Sequence, residues 1–539
     1  MKKWILVLSI LSLLLSACQT APSMKTTSSP TSSSPASSAH PWWDDAVFYE
    51  IFVRGFYDSN GDGIGDFNGI TEKLDYLQSL GVNALWLMPI YPSPSYHGYD
   101  VTNYLDVNPD YGTLSDFKNL LTAAHQRGMH VILDTVLNHT SSQNPWFVSA
   151  DSDPQSSYRD WYIWSDTNPG YMGPNGSIPW YQGQHGFYYA IFGAGMPDLN
   201  YQNPNVTTEM DKVISFWLKD VGVDGFRLDA INYLIEEGQK QANTQSTHNW
   251  LKNFYTAYKA DKTDAFTIGE VYNADAALDA AYTGDQLDMA FDFELASGMV
   301  NSANGGSSSA VTSALTFAQQ DLPTWQFGTF LTNHDQNRTM STLNGNVDKA
   351  KAAAFMLLTL PGTPFIYYGE EIGMQGEKPD EDIRLPMQWS TEDNAGFTSG
   401  TPWRAPNADY PQVNVAAEQN DPNSLLNFYR SLIALRTQHP ALRDSSLAIV
   451  SAQNPGVFAT LRYQGDERFL VISNLTSKAI TDYGLSLSST DIPNGSYGLK
   501  AIFGSGTFTD LTVANNGFQN FKPLSELPAY GEYILQLQP

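Results

Sequence analysis

The stretch GFRLDAIN (225–232) is an apolar, strand-like run that closes on an arginine and an aspartate two residues apart. On a strand that spacing puts Arg227 and Asp229 on one face. Three further stretches share this build: DTVLNHT (134–140), TIGEVY (267–272) and FLTNHDQNR (330–338). Each brings a carboxylate to the end of an apolar run. Asp134, Asp229, Glu270 and Asp335 are therefore expected to converge on one rim. A single acid after a strand reads equally well as a helix cap or a surface pair. Four in this order point to chemistry that cuts a sugar–oxygen bond.

Working outward, apolar runs with β-branched and aromatic residues recur at 46–53, 84–88, 130–136, 225–229, 266–271, 288–292, 327–332 and 364–368. Helical patterns lie between them, at 71–80, 114–127, 207–220 and 347–358 among others. Strands alternating with helices predict a parallel (β/α)8 TIM barrel, with near-continuous apolar strands buried on both faces. In such barrels the active site lies at the strand C-termini. The barrel is assigned to residues 42–139 and 201–440, and residues 140–200, rich in Gly, Pro, Trp and Tyr, form a loop-rich insertion after the third strand. From 441 to 539 short alternating runs such as FATLRYQ (458–464) predict an antiparallel β-sandwich domain.

The chain has 539 residues, 42% hydrophobic and 13% aromatic, enough for two or three domains with a sizeable core. Lys+Arg number 29 and Asp+Glu 56, a net charge of −27 that repels phosphate backbones and argues against nucleic acid as a partner. The single cysteine, Cys18, excludes an intrachain disulfide. A basic Met-Lys-Lys start and the apolar stretch Trp4–Leu15 read as a secretory signal, too short to span a bilayer comfortably. Small residues before Cys18 look like a bacterial lipoprotein cleavage site, so residues 1–18 are assigned as signal peptide and Cys18 as the lipid-bearing residue. An ordinary signal peptide with an incidental cysteine is the alternative. Residues 19–41, rich in Ser, Thr and Pro, predict a flexible tether. The expected location is the cell surface, with membrane contact through the lipid alone.

The four stretches resemble the four conserved regions of the α-amylase family of glycoside hydrolases, family 13. The resemblance covers residues 42–440 in motif order. It implies Asp229 as nucleophile, Glu270 as general acid/base and Asp335 as transition-state stabiliser. The physical reasons stand beside it. Glycoside hydrolysis passes through an oxocarbenium-like state and needs one protonated and one ionised carboxyl. Arg227 should keep Asp229 ionised, whereas partial burial beside Val271 should raise the pKa of Glu270. In a retaining enzyme the two carboxyls lie about 5–5.5 Å apart. The resemblance further implies sugar contacts for Tyr99, Asp134, His139 and His334, with Tyr99 of HGYD (97–100) as a stacking platform. It pairs Arg384 of DIRLPMQW (382–389) with Asp100, closing the non-reducing end of the pocket; a plain surface arginine is the alternative. The aromatics of PWYQGQHGFYY (179–189) either stack on sugars or build the core of the insertion.

DSNGDGIGD (58–66) sets oxygen-bearing residues at alternating positions with a glycine for a sharp turn. Asp58, Asn60, Asp62, the carbonyl of Ile64 and Asp66 form the first part of an EF-hand-like loop for Ca2+. Gly69 stands where an EF-hand has its closing glutamate, so the loop is similar to the single calcium loop of many family members. A Gly/Asp-rich turn without metal is the alternative. Many α-amylases hold a second calcium near the residue matching Asn138, with its other ligands drawn from the insertion.

MPDLN (196–200) resembles the fifth conserved region in its form intermediate between oligo-1,6-glucosidase and neopullulanase types. Asn232-Tyr233 stand where many α-amylases carry Lys-His, and Ala230 matches members that cut α-1,4 bonds. The expected activity is retaining hydrolysis of α-1,4 bonds in starch and α-gluco-oligosaccharides, by a monomer, with transglycosylation as a side reaction. The alternatives are an exo-acting α-glucosidase or oligo-1,6-glucosidase and, in another class, a non-catalytic glucan-binding lipoprotein.

Overall fold

The computed structural model describes residues 41–539 apart from 323, 324, 444 and 491. The expected leader with Cys18, and the tether through residue 40, lie outside the described residues. Eight parallel strands close into a barrel. They are β1 (Phe48–Ile51), β2 (Ala84–Leu87), β3 (His130–Thr135), β7 (Gly225–Leu228), β8 (Phe266–Gly269), β9 (Met289–Phe291), β10 (Phe327–Thr329) and β11 (Thr363–Tyr367). Between β3 and β7 the insertion forms a small antiparallel sheet of β4 (Trp164–Ser165), β5 (Trp180–Gly183) and β6 (Gly186–Tyr189). All eight expected barrel strands are present, most of them shorter at their ends than the apolar runs.

The period-2 pattern of the strands explains both the barrel and its mouth. Phe48, Trp86, Ile132, Ile268, Phe291 and Phe365 point inward and pack on one another, with Phe48 and Phe365 stacked at 4.3 Å. Tyr49, Leu85, Val131 and Phe226 point outward against the helices. Inner packing leaves no room for a side chain at Gly328, where a Cβ would lie 2.5 Å from Ile268 Cδ1. Two residues further along the same inward row stand charged groups: Glu50 after Phe48, Asp134 after Ile132 and Glu270 after Ile268. An aromatic plug thus carries a polar layer on its C-terminal side.

Side-chain caps start the helices, at the expected residues 114 and 347 and, for the other two, a few residues ahead of the patterns at 71 and 207. Asp66 caps Phe67–Leu80, and Thr113 with Asp116 forms a capping box for Leu114–Gln126. Asn203 caps Pro204–Ser215, where the sequence pattern runs on to 220 because a π-helical turn, Phe216–Val221, continues it to Gly222. Asn346 caps Val347–Thr359.

The C-terminal part is antiparallel throughout. β12 (Ser446–Ile449), β14 (Val457–Gln464), β15 (Glu467–Asn474), β20 (Glu532–Gln538), β17 (Gly495–Phe503) and β18 (Leu511–Val513) form one sheet. A second consists of β13 (Ser451–Ala452), β16 (Leu485–Leu487) and β19 (Phe518–Phe521). Leu461, Leu470, Ile472, Leu485 and Leu535 fill the core of this part. Arg462 ties it to the barrel by donating to the Thr359 carbonyl. Among the described residues no helix is long and apolar enough to cross a membrane.

Candidate active site

Strand register builds the centre of the mouth. Asp134 on β3 lies beside Arg227 on β7, and Arg227 beside Ile268 on β8. The ladder continues past the strand ends: Asp229 N–H donates to the Thr135 carbonyl at 3.2 Å and Glu270 N–H to the Leu228 carbonyl at 3.0 Å. Asp229 and Glu270 are therefore neighbours on one rim, exposed by only 8% and 9%.

One guanidinium organises them. Arg227 Nη1 donates to Asp229 Oδ1 at 2.8 Å and to Asp134 Oδ1 at 2.9 Å, and its Nη2 donates to Glu270 Oε2 at 2.7 Å. A planar fork can serve several carboxylates at fixed angles, which a lysine cannot. Ala230 N–H also reaches Glu270 Oε2, at 3.2 Å. To do so Ala230 takes a left-handed backbone, φ 48°, unusual for a residue with a Cβ. Local strain of this kind collects at functional sites.

Environment separates the acids. Burial pushes Glu270 up to about 7, against the pull of Arg227. Burial likewise pushes Asp134 up to about 6. Asp335, whose side chain is 45% exposed, goes the other way: against a partial desolvation that would raise it, the charge of His334, with Arg384, holds it well below the usual carboxylate range. His334 Nδ1 bonds Glu50 Oε1 at 2.5 Å, and its Nε2 lies 2.6 Å from Tyr99 Oη and 3.1 Å from Asp335 Oδ2. The Tyr99 hydroxyl donates to Asp134 Oδ2 at 2.9 Å, so both ring nitrogens of His334 act as donors. Burial lowers the His334 pKa, yet Asp335 and Glu50 outweigh it and raise it to about 10, an imidazolium at neutral pH. His139, lowered by burial, is neutral and contacts the Tyr99 carbonyl through Nε2 at 3.1 Å.

Three sequence expectations change. Asp134 and His334, expected to touch sugar, are both 0% exposed. Asp134 sits beneath Arg227, and His334 spends both nitrogens on protein, so each positions another group. Arg384 does not pair with Asp100. Its Nη2 meets Asp335 Oδ1 at 2.8 Å and Asp380 Oδ2 at 3.3 Å, and its Nε meets the His334 carbonyl at 3.0 Å. Asp100 instead accepts from Ser93 Oγ at 2.6 Å and from Ser95 Oγ. Two hydroxyls close by satisfy it without a distant cation. Tyr99 stacks on the His334 ring, centroids 5.6 Å apart, at the wall of the mouth. The insertion aromatics Trp180, Tyr188 and Tyr189 are buried in hydrophobic clusters, so the core reading of that stretch holds for them. Glu50 was not singled out from the sequence, although a lone glutamate inside AVFYEIFV (46–53) was a visible signal.

Two places offer oxygen to a hard cation. In the 58–66 loop Asn60 Oδ1 accepts from Asp62 N at 2.9 Å and Asp62 Oδ1 from Ile64 N at 2.9 Å. Asp58 is braced by Gly61 N and Gly63 N at 2.8 and 2.7 Å, and Asp66 by Ser59 N and Gly69 N at 2.8 and 2.7 Å. The loop lies against residues 398–402: Thr398 Oγ1 donates to Asp58 Oδ2 at 2.5 Å. The all-oxygen donor set and the glycine turns fit calcium. Among the described residues, however, no three His, Cys, Asp or Glu side chains form a metal-holding group. Under the insertion, Asn138 Nδ2 donates to Asp198 Oδ2 at 2.9 Å, while Asn138 Oδ1 and Glu236 Oε1 are buried without a hydrogen-bond partner. Burial, and then the Glu236 charge, raise Asp198 well above the usual range, and burial raises Glu236 to about 8. Asn138 Oδ1 and Glu236 Oε1, buried without a donor, also fit a hard cation.

Residues 50–445 match the family model described as alpha amylase, catalytic domain. An enzyme named alpha-amylase 3 from Dictyoglomus thermophilum is 42% identical over 81% of this chain and 85% of its own length. An oligo-1,6-glucosidase from Parageobacillus thermoglucosidasius is 35% identical over 81% of this chain and 91% of its own. The crystal structure of an alpha-amylase from H. orenii superposes with a TM-score of 0.80 at 38% identity, covering 92% of this chain and 99% of that one.

Proposed function

The chain belongs to the α-amylase family of glycoside hydrolases, and from that premise we propose that it cleaves α-1,4-glucosidic bonds in starch and maltooligosaccharides with retention of configuration. One observation carries the reading: a single guanidinium holds Asp229 and Glu270 at one rim while burial keeps the second protonated near neutral pH. In the first step a carboxylate oxygen of Asp229 attacks the anomeric carbon. Glu270 gives its proton to the glycosidic oxygen, and the leaving sugar departs. In the second step Glu270, now a carboxylate, takes a proton from water, whose oxygen displaces Asp229 from the anomeric carbon. Asp335, held ionised by His334 and Arg384, supports the positive charge that develops on the ring.

The charged His334, anchored by Glu50, keeps Asp335 ionised. The roles of Tyr99 and His139 are to wall the same glucose unit. Digestion of soluble starch tests the reading: rapid loss of iodine staining with a ladder of short maltooligosaccharides supports internal α-1,4 cutting. Glucose alone, or release from isomaltose, supports the second reading, an exo-acting α-glucosidase or oligo-1,6-glucosidase. The relative of that name favours this alternative.

Calcium belongs to the same proposal. Asp58, Asn60, Asp62, the Ile64 carbonyl and Asp66 would hold one ion, and Asn138, Asp198 and Glu236 a second between insertion and barrel. Bound there, calcium supplies positive charge that ties oxygen-rich loops to the folded state. We also propose export and lipid anchoring through Cys18, supported by the basic start, the short apolar stretch and the small residues before the cysteine. Metabolic labelling with palmitate should mark the wild type and not Cys18→Ala; labelling of both would refute the anchor.

A further inference from the structure

Behind Asp335 lies a carboxylate too deep to touch sugar. Glu50 stands on the inward row of β1, two residues after Phe48 of the aromatic plug, and is 2% exposed. Its strand neighbours at that level are Trp86 on β2 and Tyr367 on β11. Glu50 Oε1 lies 2.5 Å from Nδ1 of His334, whose side chain is 0% exposed. On the other side of the ring Nε2 meets Asp335 Oδ2 at 3.1 Å. Glu50, His334 and Asp335 thus follow one another from the barrel wall to the mouth, where the Asp335 side chain is 45% exposed.

The Glu50–His334 ion pair has no net charge, but it has a direction. Its negative end lies in the wall and its positive end beside Asp335. A neutral imidazole would have to choose a side. With its proton on Nδ1, a bare Nε2 would turn a lone pair on the Asp335 carboxylate at 3.1 Å. The Tyr99 hydroxyl, 2.6 Å from Nε2, already donates to Asp134 Oδ2. With its proton on Nε2, a bare Nδ1 would face Glu50, which would then need a proton of its own. The imidazolium satisfies both neighbours with both carboxylates ionised. A buried imidazolium needs a buried counter-charge, and Glu50 supplies it. Charged groups meet the ring from several elements: Glu50 from β1, Asp134 from β3, Glu270 after β8 and Asp335 from its own loop. Arg384 fixes the His334 carbonyl from Nε at 3.0 Å.

We propose that Glu50 is a positioning residue for the reaction: through His334 it presents Asp335 with a fixed N–H and a fixed positive charge, and so aims the carboxylate that supports charge on the sugar ring. This rests on the functional reading above and adds to it a residue that lies behind the mouth. Charge on the ring needs support in both halves of the reaction, when the glycosyl ester forms and when it breaks down. That need is the same for every leaving group. Loss of Glu50 therefore differs from loss of Glu270, whose proton matters in the first step only for a leaving group that requires one.

Glu50→Gln keeps the size and one hydrogen bond and removes the charge. It should lower kcat about 30-fold or more on maltotriose, and by a similar factor on α-maltosyl fluoride, whose leaving group needs no proton. KM for maltotriose should stay within about threefold of wild type. Both limbs of the kcat/KM pH profile on maltotriose should move to higher pH. Asp335 loses the cation that holds it low, and Glu270 loses one that pulls it down. Glu50→Asp, which keeps the charge, should recover part of the rate and the wild-type profile. In a His334→Gln background Glu50→Gln should lower kcat by less than about twofold, because its route is gone. If Glu50→Gln does not fold, Glu50→Asp carries the test, with smaller losses that are equal on the two substrates. Near-wild-type turnover, a loss confined to maltotriose, an unmoved pH profile or a full further loss in the His334→Gln background would overturn the proposal. A wild-type enzyme that turns over neither substrate would instead refute the functional reading.

Discussion

Arg227 donates from Nη2 to Glu270 Oε2 at 2.7 Å, so the residue expected to give a proton is held by a buried cation. The same guanidinium serves Asp229 and Asp134, and all four groups are nearly buried. Removing the charge would strand three acids in low dielectric, at a cost of about 3–5 kcal/mol for a broken buried pair. Arg227→Lys keeps the charge and loses the fork. It should stay folded by circular dichroism while kcat on maltooligosaccharides falls about 100-fold or more. Near-wild-type kcat would mean the fork does not set the geometry.

Glu270, pushed up to about 7 by burial, sets an alkaline limit. The first step needs its proton, so kcat/KM on maltotriose should fall as pH rises through about 7. Glu270→Gln should abolish that reaction, yet still form the glycosyl ester from α-maltosyl fluoride, whose leaving group needs no proton. A Glu270→Gln enzyme that cleaves maltotriose normally would remove Glu270 from the mechanism.

Much of this was legible in the sequence, and the reasons are physical. Strand runs such as HVILDT (130–135) are apolar on both faces, so they announce a parallel barrel. Asp134, Asp229 and Glu270 fall on the inward row by counting in twos, whereas on β10 the count from Gly328 and Phe330 lands on His334, one residue before Asp335. What escaped depends on distance in sequence. Arg384 lies 49 residues from Asp335, its ion-pair partner, and no local pattern couples them. Glu50 and His334 are 284 residues apart and meet only because β1 and the exit of β10 share the closed barrel. Asp134 was visible as an acid, but its depth beneath Arg227 was not, since burial depends on what lies on top.

Asp279 gives a test of stability apart from catalysis. Both its oxygens are buried without a hydrogen-bond partner, and burial, then Asp292, push it up to about 9. An unfolded aspartate ionises near 4, about five units lower. Because the folded pKa is the higher, the folded state holds the proton more tightly. Stability is therefore lost as pH rises from about 4 to about 9 and stays low above that. Asp279→Asn removes this dependence and the repulsion from Asp292. It should raise Tm at pH 8 by about 2 °C or more and have little effect at pH 4. A lower Tm at pH 8 would show that the carboxylate is compensated in solution.

Calcium removal should act on stability through the ion's preference for the folded form. A chelator should lower Tm in wild type, and calcium should restore it. Asp62→Ala should weaken the response without touching the mouth. An unchanged Tm in chelator would exclude both proposed ions.

The assignment of Asp229 can be read directly by trapping. A 5-fluoro-α-glucosyl fluoride forms its ester readily and loses it slowly, so the bond to the enzyme should accumulate. Mass spectrometry of a digest should find one added glycosyl group on the peptide containing Asp229, and none in Asp229→Asn. A label on another acid, or release of inverted product with no label at all, would contradict the account.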